Sequence, residues 1–128
     1  MAKVQDIVGD DAFLQGTDFT YPCEILNGAE TAAIDITGWA LSWLVKRYKA
    51  DADVAALITK TTSSGIAIAG SYNATPASNT QRATITVEDT DTTSLSPGLY
   101  YHELKRTTSG SETVLITGLF ELADTVHR

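Results

Sequence analysis

One cysteine, two histidines and three prolines are all that these 128 residues hold of those types, and each scarcity removes a class of chemistry. A lone Cys23 excludes an internal disulfide and any multi-cysteine zinc site, so stability has to come from packing. Only His102 and His127 are available as histidine bases, and no Gly-x-Ser-x-Gly elbow supplies a nucleophile for them. Nine basic residues stand against sixteen acidic ones, and a chain of net charge −7 repels phosphate backbones and anionic lipid surfaces. No stretch approaches the roughly 20 apolar residues of a membrane span, and MAKVQDIVGDDAFLQG lacks the apolar core of a signal peptide. The expectation is a protein made in a cytoplasm, with no metal or cofactor, and with neither nucleic acid nor membrane as partner.

What remains is ordinary globular material. Hydrophobic residues make up 43% and charged residues 20%, which is outside the disordered range, and 128 residues suffice for one hydrophobic core. Period-two alternation recurs between turn signals, which predicts an all-β fold. In Thr17 to Leu26, Phe19, Tyr21, Cys23 and Ile25 share one face, while Pro22 cannot donate to a ladder and marks an edge strand or a bulge. Asn27-Gly28 predicts a turn with positive φ, followed by a short strand from Ile34 to Gly38. Trp39, Leu41, Trp43 and Val45 alternate with smaller or polar neighbours, so the spacing places both tryptophans in the core.

Two further strands, Val54 to Thr61 and Ile66 to Ala69, are predicted to pair as a hairpin, and Gly70 to Gln81 is predicted to be a long exposed loop. Ala83, Ile85 and Val87 alternate as another strand. Glu88 to Leu95 suits one helical turn with its acids at the N-terminal end, and Leu95 is expected to plug the core. Pro97-Gly98 opens the strand Leu99 to Arg106, which pairs with Thr113 to Leu122 as a hairpin. The expected architecture is an antiparallel β-sandwich of about seven strands with one short helical turn, spanning 17–122 between an arm at 1–16 and a tail at 123–128.

Chemistry-bearing residues have plain structural alternatives. His102 lies mid-strand between Tyr100 and Leu104, as a hydrogen-bonded core histidine would, and Cys23 is expected to be a buried, inert thiol. The acids Asp10-Asp11, Asp51/Asp53 and Asp89/Asp91 match no EF-hand spacing and suit helix caps and loops. Asn73-Ala-Thr75 fits a glycosylation sequon but follows no secretory signal.

In order, GTDFTYPCEI, IDITGWALSWLVK, ITKTTSSGI, ATITVEDTDTTSL, PGLYYHELKR and VLITGLFEL resemble the small immunoglobulin-like domains of tailed-bacteriophage virion proteins, of the kind at the N-terminus of the baseplate upper protein. The resemblance runs from about Gly16 to Leu122, with departures at Leu44, where a polar residue is more usual, and in the length of the 70–81 loop. It implies an immunoglobulin-like fold with Tyr100, His102, Leu104, Val114, Ile116, Gly118 and Phe120 facing inward. It also implies a non-enzymatic structural role as a small adaptor, connector or decoration subunit at the capsid, neck, tail or baseplate. Such a protein is made in the host bacterial cytoplasm, ends in the virion, and contacts other virion proteins and copies of itself as a homo-oligomer.

One feature exceeds what a solvated sheet needs. With Tyr100, His102 and Leu104 inside, alternation turns Leu99 and Tyr101 outward, joined by Leu115 and Leu119 on the last strand and Leu44 on the tryptophan strand. These five define a candidate protein interface. The arm residues Val4, Ile7, Val8 and Phe13 are expected either to cover that face or to cover a neighbour's. The alternative function is a carbohydrate-binding adhesion module with Tyr48 and Tyr72 as its stacking residues.

Overall fold

The computed structural model describes residues 3–125; His127 and half of the expected 123–128 tail lie outside the described residues. The chain forms two facing sheets. Strands β1 (Lys3–Val4), β2 (Phe13–Leu14), β4 (Leu41–Lys46), β5 (Ile58–Thr61), β8 (Gly98–Arg106) and β9 (Thr113–Ala123) make the larger one. It runs in the order β1-β9-β8-β4-β5, with β2 further along the free edge of β9. Strands β3 (Phe19–Cys23), β6 (Ile66–Ala69) and β7 (Arg82–Val87) make the smaller one, ordered β3-β7-β6. The seven longer strands, β3 to β9, match the expected number and pair antiparallel. Sheets of order B-E-D and G-F-C-C′ are those of a variable-type immunoglobulin domain, and β3-β7-β6 and β9-β8-β4-β5 reproduce them.

Alternation explains the layers. Leu41, Trp43 and Val45 of β4, Ala83, Ile85 and Val87 of β7, and Tyr100, His102 and Leu104 of β8 are all buried between the sheets. Trp43 and Phe120 are fully enclosed, with ring centroids 5.9 Å apart in an edge contact. Each large side chain so buried contributes about 1.5–3 kcal/mol. A helical turn, α1 (Asp89–Thr92), carries the chain from the smaller sheet to the larger. Its reciprocal caps are the Glu88 carboxylate on a backbone N–H and Asp91 Oδ2 accepting from Glu88 N at 2.7 Å. Just beyond, the Tyr100 hydroxyl donates to the Ser96 carbonyl, the tyrosine corner of this fold, and Leu95 packs against the core as expected.

Several expectations need correction. Ile58–Thr61 and Ile66–Ala69 do not form a hairpin: β5 pairs with β4 in one sheet and β6 with β7 in the other, because the chain crosses the sandwich between them. Residues 34–38 form no strand, although Ile36 is buried. The left-handed residue of the 27–32 turn is Glu30 at φ 57°, not Gly28, because the Asn27 side-chain oxygen accepts from Thr31 N and Ala32 N and holds the turn open to its fourth residue. Trp39 precedes β4 and is only half-buried, with the Arg106 guanidinium 3.9 Å from its ring centroid. The core therefore encloses one tryptophan, not two.

The arm is part of the larger sheet. Lys3 and Val4 pair in parallel with Ile116 and Thr117, Ile7 bridges Phe120, and Phe13 and Leu14 pair with Leu122 and Ala123. It extends the edge of β9 and does not lie across the sheet's outer face. Ile7 and Phe13 are buried in the chain's own core, Phe13 stacking on Phe19 at 4.3 Å.

Candidate functional site

Strand register builds the outer face of the larger sheet row by row. Leu44 pairs with Glu103, Glu103 with Thr117 and Thr117 with Val4, so these side chains cross the face in one line. In the next row Lys46 pairs with Tyr101 and Tyr101 with Leu119; a third pairs Leu99 with Glu121. Leu57, just before β5, is 41% exposed, and its N–H donates to Val45 O.

Four of the five predicted face residues, Leu44, Leu99, Tyr101 and Leu119, lie together on this surface. Leu99 is 57% exposed, and the other three are half-buried. Leu115 does not join them. Leu104 pairs with Ile116 and Lys105 with Val114, so Leu115 is the extra residue of a β-bulge and packs against the core instead. The same bulge leaves Val114 half-buried where alternation had it inside. Of the arm residues, Val4 is 72% exposed beside Thr117 and Val8 is half-buried, whereas Ile7 and Phe13 face the core.

A hollow of about 230 Å³ opens in this face, lined by Leu44, Lys46, Lys49, Tyr101, Glu103 and Thr117. Lys46 Nζ is held by Asp53 Oδ1 at 2.7 Å and the Asp51 carbonyl at 2.9 Å, and Lys49 Nζ lies 5.3 Å from the Tyr101 ring centroid. That hydrogen bond and charge hold the Asp53 carboxyl below its usual range.

Two of the four sheet edges, β3 and β5, carry features that oppose further pairing. Pro22 sits on β3, an edge strand paired only with β7, as its missing N–H predicts. At the opposite edge of the larger sheet, Lys60 of β5 turns inward and pairs with Asp91 at 2.7 Å. An inward charge on an edge strand blocks addition of another chain.

The two reactive residue types are absorbed by the core. His102 Nδ1 accepts from Trp43 Nε1 at 3.1 Å, which puts the imidazole proton on Nε2, where it donates to Gln5 O at 2.7 Å. Burial holds the His102 pKa below its usual value, against an opposing pull from Gln5 and Asp6. Burial also pushes the Cys23 thiol up to about 12, far from the thiolate that reactivity requires. Among the described residues no three His, Cys, Asp or Glu side chains gather as a metal-binding group.

Tyr48 and Tyr72 are 61% and 41% exposed but do not share a platform. Tyr48 follows β4, whereas Tyr72 donates to Ala33 O in the segment before β4 begins, so the length of the sandwich separates them. A cleft of about 390 Å³ lies between β9 and the end of β3, lined in part by Lys3, Glu24, Ile34, Trp39 and Leu115.

Fold and surface together define the class: an immunoglobulin-like β-sandwich with two blunted edges and apolar residues on an outer sheet face. A scan of protein-family models finds no match to this chain, and a search of curated proteins finds no similar one.

Proposed function

We propose that this protein is a non-enzymatic structural subunit of a tailed-bacteriophage virion, an adaptor, connector or decoration protein. It docks through the outer face of its larger sheet to capsid, neck, tail or baseplate proteins and to copies of itself. The observation that carries the docking mode is the pair Tyr101 and Leu119 with Leu44 and Leu99 beside it, on a sandwich whose β3 and β5 edges are blunted by Pro22 and Lys60. The virion setting rests on the resemblance of the ordered segments from Gly16 to Leu122. The non-enzymatic reading is supported by His102 and Cys23, both committed to packing and hydrogen bonds.

The test combines location and mutation. Mass spectrometry of purified particles should find the chain among the virion proteins. Tyr101→Glu with Leu119→Glu should leave the fold intact, as judged by circular dichroism, and abolish incorporation. A folded double variant that incorporates normally removes the face from the proposal. The carbohydrate-binding alternative draws no support from Tyr48 and Tyr72 at opposite ends, and a glycan array on the isolated chain checks it: sugar binding lost on replacing either tyrosine would reinstate it.

A further inference from the structure

We infer that the partner this face is built for is a second copy of the same chain, related by a two-fold axis that passes across β8 at Tyr101. The inference rests on the docking reading and adds the occupant.

The face carries both a knob and a hole. Leu99, 57% exposed, lies two residues to one side of Tyr101 on β8. The hollow lies on the other side, between the Tyr101 and Glu103 rows, with Leu44 and Thr117 in its walls. A two-fold axis across β8 at Tyr101 sets Leu99 of each copy against Glu103 in the wall of the other's hollow, so one contact made twice occupies both hollows. At about 230 Å³ the hollow has room for a branched aliphatic side chain.

Charge favours the same partner. The chain carries −7, and most of its surface repels an identical copy. Yet on this face, with Lys46 neutralised by Asp53, Lys49 and Lys105 stand against Glu103 and Glu121, two charges of each sign. Identical copies can approach here without the repulsion they meet elsewhere. Five strand columns at about 4.8 Å spacing give a face roughly 24 Å wide, which puts the contact at the small, weak end of specific interfaces. Many copies in a particle would reinforce it by avidity.

Two measurements test this on the full chain. Sedimentation velocity should show a concentration-dependent dimer, weakened about tenfold or more by Leu99→Asp, a change at an exposed site that spares the fold. The double variant Leu99→Cys with Glu103→Cys should give a covalent dimer on oxidation. Those two positions lie about 13 Å apart along one strand, too far for a bridge within a chain, and Cys23 is buried. A chain that stays monomeric throughout with no covalent dimer, or a dimer indifferent to Leu99→Asp, overturns the inference. If the chain is monomeric while Tyr101→Glu still abolishes incorporation into particles, the face docks a different virion protein: the docking reading stands and the self-contact fails.

Discussion

His102 reaches across Gly118 to the backbone of Gln5, its Nε2 donating to the Gln5 carbonyl at 2.7 Å from the next strand but one. Gly118 is the cross-strand partner of His102, and a Cβ there would lie 2.2 Å from Gln5 O. The N-terminal arm can approach β9 only because that position has no side chain.

Gly118→Ala should therefore detach the middle of the arm. Gln5 N and Ile7 N, which donate to Thr117 O and Leu119 O, should lose protection in hydrogen exchange while the β4–β8 amides keep theirs. Exposure of Ile7 alone predicts a loss of about 2 kcal/mol in urea unfolding. Unchanged protection at Gln5 and Ile7 would contradict the tight fit.

The His102 pKa is lowered by burial, so the unfolded chain binds the proton first as pH drops. The stability that neutral His102 provides is complete above its ordinary value of 6.5 and declines as pH falls below it, towards the depressed folded pKa. Protonation would also turn an N–H at Nδ1 against the Trp43 donor. His102→Gln, which can still accept from Trp43 and donate to Gln5, should flatten the stability profile between about pH 7 and 5. Equal slopes in the two proteins would assign the pH dependence elsewhere.

Tyr100→Phe removes the hydroxyl that bonds Ser96 O and leaves that carbonyl short of a donor. The expected cost is about 1–2 kcal/mol by chemical denaturation, with no effect on self-association, because the hydroxyl lies on the inner side of β8. Tyr101→Phe, on the outer side, should spare stability.

Cys23 should resist thiol reagents in the native state, since its buried thiol is pushed up to about 12. Its labelling rate should rise with urea in step with unfolding. Fast labelling in the absence of denaturant would mean that the edge strand β3 opens on its own.

Much of the fold is legible in local pattern. Leu41-Ser-Trp-Leu-Val-Lys46 and Arg82 to Val87 declare their inner faces by alternation, because a pleated strand must turn successive side chains to opposite sides. The edge position of β3 follows from Pro22, and the capped turn at Glu88 from its acids. Leu115 is the instructive failure: alternation turned it outward, but a bulge inserts one residue into β9 opposite β8 and changes its side. The hairpin expected of β5 and β6 failed for a related reason, since adjacency in sequence does not say whether a strand stays in its sheet or crosses to the other.

The order of apolar residues, by itself, determined that this chain is an all-β sandwich, that Tyr100 faces in and Tyr101 faces out, and that Leu44, Leu99 and Leu119 exceed what a solvated sheet needs. Those are consequences of a period of two, which each strand carries locally. Only the tertiary structure decided that the arm joins β9 as an edge, that His102 spends both nitrogens on Trp43 and Gln5, and that a hollow opens between the Tyr101 and Glu103 rows. Each of these depends on the register between strands distant in sequence, which backbone hydrogen bonding sets and no local pattern contains.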